Sequence, residues 1–199
     1  MLTRLDAPSH ADSSDEVRAS DARLDSLVAQ SRLGNRDGFS ELVELTEPRI
    51  RRLLGRLACR GADLDDLVQE TYLRAWRSLP GFRSESRFST WLFRIATNVA
   101  STWRQSRRIV ATLTDDVGVS LRSPPELGEV PLVEAYERAL SGLSPELRAV
   151  FILHETEGMS YRDVAETLGC PIGTVMSRLH RARLKILDEL RERLEELTP

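Results

Sequence analysis

Apolar residues recur at helical spacing along most of this chain. Leu24, Leu27 and Val28 make one short stripe. Phe39, Leu42, Val43, Ile50, Leu53, Leu54 and Leu57 make a second, with Gly34 and Asn35 between them. Steps of three and four residues gather such positions on one side of an α-helix. The pattern therefore predicts two helices broken near Gly34, the second interrupted or kinked at Pro48. Gly61 marks another turn, and Asp63 is placed to cap a helix whose inner stripe is Leu64, Leu67, Val68, Thr71 and Ala75. Asp65, Asp66, Gln69, Glu70 and Arg74 are left to its other surfaces. The run stops at Leu79, Pro80 and Gly81. After the loop 80–87, Phe88, Trp91, Leu92, Ile95, Ala96 and Val99 define a further apolar face. Thr90, Arg94, Thr97, Asn98 and Ser101 share the face opposite, and Trp103, Arg104, Arg107 and Arg108 extend its end.

From 109 to 131 the periodicity disappears. Thr112, Thr114, Asp115, Asp116, Gly118, Ser123, Pro124, Pro125 and Gly128 read as an extended acidic linker. Helical spacing then returns over 132–141, 145–155, 160–168 and 172–195, punctuated by Gly142, Gly158 and Gly169. Pro145 follows the potential cap Ser144, where a first helical turn tolerates it. The expected fold class is all-α. It comprises a flexible arm (1–20), a helical domain (21–108), the linker (109–131) and a second helical domain (132–199) with an acidic tail.

The sharpest local pattern is GMSYRDVAETLGCPIGTVMSRLHRAR, residues 158–183. Ser160 can cap a short helix with Asp163 three residues on, in the manner of a capping box. Tyr161, Val164, Ala165 and Leu168 form its inner stripe. Gly169 suits the left-handed position that closes it, and Ala165 is small enough for a second helix to cross closely. Val175, Leu179, Ala182 and Ile186 anchor that second helix, which leaves Thr174, Ser177, Arg178 and Arg181 outside. This is the layout of a helix-turn-helix whose second helix enters the major groove. A solvated face on an ordinary helix pair is the bland alternative. His180 reads as a surface or partly packed histidine, and Met176 fits solvent or core equally.

Charge changes this picture more than bulk composition does. The 199 residues carry a formal net charge of −3, which argues at first against nucleic acid. The average hides segregation. Residues 1–48 hold ten acids and five bases, 49–60 five Arg and no acid, and 83–108 six Arg against Glu85. Residues 109–137 hold six acids against one Arg, and 171–187 hold Arg178, Arg181, Arg183 and Lys185 with no acid. Local potential is the better guide to partners. Of the 28 basic residues 27 are Arg, a bias that phosphate recognition and a genome rich in G and C explain equally. Cys59 and Cys170 lack ligand-like companions and read as reduced thiols. No apolar run reaches membrane-spanning length and the opening segment lacks the hydrophobic centre of a secretion signal, so a cytoplasmic protein is expected.

DLDDLVQETYLRAWRSLPGFRSESRFSTWLFRIATNVASTWRQSRR at 63–108, followed by LSPELRAVFILHETEGMSYRDVAETLGCPIGTVMSRLHRARLKI at 143–186, resembles the extracytoplasmic-function group of the sigma-70 family. These are the promoter-recognition subunits of bacterial RNA polymerase, and the resemblance covers about 24–187. It implies a sigma region 2-like first domain and a sigma region 4-like second one. It further implies docking on core RNA polymerase by Asp65, Asp66, Gln69 and Glu70. Minus-ten recognition and melting fall to Phe82, Arg83, Arg87, Arg94, Thr97, Asn98 and Ser101. Recognition of the minus-thirty-five element as duplex falls to Thr174, Ser177, Arg178, Arg181, Arg183 and Lys185. Core polymerase, promoter DNA and an anti-sigma factor are the partners implied, with a monomer expected when the chain is free of them. Phe82 can stack on a base or tuck into the core. Trp91 is assigned to the core, and Trp103 can pack, stack or meet a partner.

No Gly-rich phosphate loop and no cluster of reactive residues emerges. The sequence therefore predicts a binding protein without catalytic residues, metal or cofactor. A stand-alone helix-turn-helix regulator would explain 158–183 but leave the first domain's acidic face and basic loop unused. An adaptor that sequesters an anti-sigma factor would keep the partner-facing surfaces and dispense with promoter specificity.

Overall fold

The structure, a computed structural model, describes residues 22–57, 62–113 and 131–197, and every regular element among them is helical. Helix α1 spans 22–32 and α2 Arg36–Leu57; α3 spans Ala62–Ser78 and ends in a 3-10 turn at Leu79–Gly81. Helix α4 covers Phe88–Leu113, α5 Pro131–Gly142 and α6 Pro145–Phe151, followed by a π turn at Ile152–Thr156. Helices α7 (Tyr161–Leu168) and α8 (Ile172–Leu197) complete the chain. The arm 1–20, Cys59 and most of the expected linker lie outside the described residues.

Three local expectations need correction. Pro48 neither breaks nor ends α2, which runs through it. A proline inside a helix costs about 3 kcal/mol through the missing N–H and the clash with the preceding turn. Here Pro48 is exposed while Leu42 and Ile50 on either side are buried, so packing offsets that cost. Asp63 sits inside the first turn of α3 instead of capping it, and its Oδ2 accepts from Arg107 Nη2 at 2.9 Å. Helix α4 continues to Leu113, past the expected end at 108.

Helices α2, α3 and α4 pack pairwise in the first unit. Leu53, Leu54, Ala75, Leu79, Ala96 and Ala100 are fully enclosed, and the alanines let helix backbones approach closely. The Tyr72 hydroxyl lies 2.8 Å from Thr46 Oγ1, joining α3 to α2. Burial pushes the Tyr72 phenol up to about 12, with the Thr46 bond opposing. A raised folded-state pKa means the unfolded chain loses this proton first, near ~10. Tyr72's contribution is therefore complete below that pH and is lost as pH climbs toward about 12. Urea titrations at pH 9 and pH 11 should show a steeper alkaline loss of stability for the parent than for Tyr72→Phe.

In the second unit α5, α6 and α7 all pack against α8 around Val150, Ile152, Leu153, Val164, Val175, Leu179 and Ala182. The caps follow the sequence closely. Ser144 Oγ accepts from Leu147 N at 3.5 Å and Ser160 Oγ from Asp163 N at 3.2 Å. Asp163 completes its box through the Ser160 hydroxyl, which donates to Oδ2 at 2.7 Å, instead of through the cap's backbone. Gly169 closes α7 at φ 62°, the left-handed region where a Cβ would be strained. The units also meet, α4 against α7 and α2 against α6, and their buried side chains form one continuous cluster.

Candidate functional site

Four surfaces carry the expected functional residues. On α3, Asp65, Asp66 and Gln69 are exposed and Glu70 half-exposed. Asp65 pairs with Arg51 of α2, which also donates to Glu47 at 2.8 Å. The hydrogen bond to Asp65, then that to Glu47, raises the Arg51 pKa above its ordinary value. Glu70 accepts from Arg74 at 2.6 Å. Leu73, one turn beyond Gln69, is 44% exposed. The sequence reading passed over it, although its spacing from Asp66 and Gln69 puts it on their face and off the buried stripe.

The second surface is the loop after α3. Arg83 and Arg87 are exposed there, and Ser84 adopts φ 57°, a left-handed turn residue. Phe82 points inward at 6% exposure, with its ring 6.1 Å from Phe88 and 5.1 Å from Trp91. Of its two sequence readings the structure takes the core one, so the loop presents cations without that stacking ring. Its amide donates to Leu79 O at 3.0 Å, which fixes the inward turn. Trp91 packs against the core as expected.

On α4, Arg94, Asn98 and Ser101 are exposed. Thr97 departs from them: it is buried, and its Oγ1 has no hydrogen-bond partner among the described residues. Trp103 packs partly against the core, and the Arg107 guanidinium sits 5.0 Å over its ring. A groove of about 330 Å³ runs between this face and the second unit. Arg94, Thr97, Asn98 and Ser101 line one wall, with Glu146, Glu166 and Arg178 opposite.

The fourth surface is α8. With Val175, Leu179, Ala182 and Ile186 inside, Gly173, Ser177, His180 and Arg181 face out and Met176 is 53% exposed. Ser177 Oγ donates to Thr174 O at 3.1 Å, and Arg181 Nε reaches Ser177 O at 3.4 Å. Thr174 and Arg178 are half-buried on one flank, and Lys185 is exposed. Arg183, also assigned to the DNA face, is exposed, and its Nε donates to Glu155 at 2.8 Å, tying α8 to the π turn. That bond, set against burial, raises the Arg183 pKa. The backbone hydrogen bond at Glu146 holds its carboxyl below the ordinary range against the opposing effect of burial, with the Ser144 hydrogen bond and then the Arg178 and Arg104 charges adding to it. His180 is at the surface, one of the two places its sequence reading allowed, Met176 takes the solvent side of its two readings, and Gly173, which the sequence reading did not consider, joins them on the outward face.

Among the described residues no group of three or more His, Cys, Asp or Glu could hold a metal ion, and no helix is long and apolar enough to cross a membrane. The chain matches the family model described as Sigma-70 region 2 over residues 42–109 and that of Sigma-70, region 4 over 134–186. It is 37% identical over 177 residues to an ECF RNA polymerase sigma-E factor of Haemophilus influenzae, covering 82% of this chain and 93% of the relative. The sigma-E factor of Escherichia coli K12 is 36% identical over 171 residues, 79% and 88% of the two chains. Among solved structures, the sigma factor RpoE in complex with the anti-sigma factor NepR from Bartonella quintana superposes with a TM-score of 0.66 at 30% identity, covering 77% and 96%. CnrH in complex with the cytosolic domain of CnrY gives 0.62 at 27% identity, covering 83% and 96%. Both family regions in order, with relatives at this identity aligned over most of both chains, show that this chain belongs to the extracytoplasmic-function group of the sigma-70 family, non-catalytic factors of transcription initiation.

Proposed function

We propose that this chain docks on core RNA polymerase through the acidic face of α3 and directs initiation by reading two promoter elements in different states. The outer face of α8 reads the minus-thirty-five element as duplex. The polar face of α4, with the loop cations Arg83 and Arg87, holds the minus-ten element as it opens. One observation carries this reading: the two basic, hydrogen-bonding faces stand on rigid helices of separate helical units, and the acidic docking face stands on a third helix. Each surface can meet its own partner.

The mechanism is differential binding. Cations and amides that favour an opened strand over duplex lower the cost of opening without making or breaking a bond. Arg94 and Arg87 suit phosphate, and the Asn98 amide suits a base edge. On α8, Ser177, His180 and Arg181 present polar groups early in the helix, and Met176 offers an apolar surface suited to a thymine methyl. An anti-sigma factor that covers these faces is a further expected partner, as the complexes of the two solved relatives suggest.

Core polymerase, the folded chain and a promoter library, with selected initiation and strand opening as readouts, test the whole reading. No core binding and no selected initiation would overturn it. Within that system Arg181→Ala should weaken minus-thirty-five duplex binding by about 1–3 kcal/mol, or ~5- to 150-fold. Fluorescence anisotropy reads this, with core affinity unchanged.

A further inference from the structure

We propose that Gln105 of α4 reads a base pair in the duplex immediately upstream of the minus-ten element, with adenine as its preferred base. The proposal rests on the assignment of the polar face of α4 to that element, and it carries the face one turn further along the helix.

The face follows from helix geometry. Arg94, Asn98, Ser101 and Gln105 are spaced by four, three and four residues, so they share one side of α4, and all four are exposed. The buried stripe of Leu92, Ala96, Val99 and Ala100 lies on the other side. The sequence reading carried this polar face only to Ser101 and extended its end with Trp103 and arginines, passing over Gln105.

Between 102 and 107 every other polar side chain is engaged. Thr102 Oγ1 donates to Asn98 O at 2.9 Å and Ser106 Oγ to Trp103 O at 2.8 Å, both within the helix. Arg104 lines the groove that faces the second unit. Arg107 Nη2 donates to Asp63 Oδ2 at 2.9 Å, and its guanidinium lies 5.0 Å over the Trp103 ring. The Gln105 carboxamide makes no hydrogen bond among the described residues. Arg107 and Trp103 also matter as a brace. Asp63 stands in the first turn of α3 and Trp103 packs against the core, so this end of α4 is held to its neighbours and Gln105 projects from a fixed support.

Position along the helix selects paired over opened DNA. The cationic loop with Arg83 and Arg87 precedes α4, whereas the far end of α4 leads toward the unit whose α8 reads the upstream element. Gln105 therefore lies on the upstream side of Asn98. Seven helical residues advance about 10.5 Å, at most about three steps of a duplex. Bases that remain paired there are legible only at their groove edges. A carboxamide sets an acceptor beside a donor, the complement of N6 and N7 of adenine in the major groove, whereas arginine would select guanine.

The test uses holoenzyme assembled from core polymerase and the full chain. Its template is a promoter library with the three base pairs upstream of the minus-ten element randomised, and the initiated templates are sequenced. The parent is expected to enrich adenine at one of these positions about fivefold or more. Gln105→Ala should lose that enrichment while keeping parental core affinity and parental selection within the minus-ten element. Gln105→Glu should move the preference to cytosine, whose N4 amine donates to a carboxylate. A merely structural residue would not redirect base choice in this way. Thr102→Ala and Ser106→Ala should retain the parental preference for adenine. Equal enrichment in the parent and Gln105→Ala would overturn the proposal. So would a loss that is uniform over all four base pairs, which marks a contact to the sugar-phosphate backbone. Failure of the sigma-factor reading is distinguishable, since the parent would then show no selected initiation at all.

Discussion

Replacing Arg148 with methionine is expected to lower the unfolding free energy of the second unit by about 3 kcal/mol, measured by urea titration. Arg148 is 9% exposed and faces no carboxylate in its bonded set. Its Nε donates to Leu140 O at 2.8 Å, and its Nη2 to Leu143 O at 3.1 Å and to Ser141 O. Those acceptors lie at the C-terminal end of α5 and just beyond it, where helix carbonyls have no partner within the helix and a cation is favoured. Burial, with Arg104 second, lowers the Arg148 pKa below its ordinary value. The charge is therefore held there at a desolvation cost that the three carbonyls offset. Methionine keeps the apolar length but strands the Ser141 and Leu143 carbonyls, at about 1–3 kcal/mol for each one left unpaired, while Leu140 O keeps its bond from Leu143 N at 3.3 Å. Removing a buried charge gives part of this back. Arg148→Lys should recover only part of the loss, because an ammonium lacks the fork. A neutral result for Arg148→Met would mean that water or a rearranged loop serves the α5 end equally well.

Residues such as Arg148 mark where the sequence stopped being readable. The start of α6 and both ends of α7 followed from Ser144, Pro145, Ser160 and Gly169, because caps and turn glycines act within a few residues and leave their signature in place, whereas the change from α6 to the π turn at Ile152 left no such signature in the helix expected over 145–155. The buried stripes of α3, α4 and α8 followed equally well from spacing. What did not follow was set by neighbours distant in the chain. Arg183 looks like any outward cation until Glu155, 28 residues earlier, is brought beside it. Thr97 lies at the margin between two faces of α4, and the helix packed there decides its side. Phe82 offered two readings, and the rings of Phe88 and Trp91 select one. Pro48 argued locally for a break, which the buried residues on both sides of it overrule. The mutual approach of the two units was invisible for the same reason. Arg49 and Glu157 are separated by 108 residues, and nothing near either one marks it as paired.

The docking face leads to the other large expected effect. Leu73→Asp should weaken core polymerase binding by about 2 kcal/mol or more, roughly 30-fold, with little change in the stability of the free chain. Leu73 is 44% exposed on a helix whose buried stripe already contains Leu67, Val68, Tyr72 and Ala75, so the free fold has no need of it. Its neighbours on the same face are charged or amide-bearing: Asp66 and Gln69 are exposed, while Asp65 and Glu70 are engaged by Arg51 and Arg74. An apolar side chain ringed by polar groups is how a docking surface concentrates binding energy at a desolvated centre and leaves steering to its rim. Asp66→Arg should therefore act differently. It should chiefly slow association and make it less sensitive to salt, whereas Leu73→Asp should chiefly speed dissociation. Surface plasmon resonance with immobilised core polymerase separates the two rates. A Leu73→Asp variant that dissociates like the parent would remove this leucine from the interface and leave docking to the acidic groups alone.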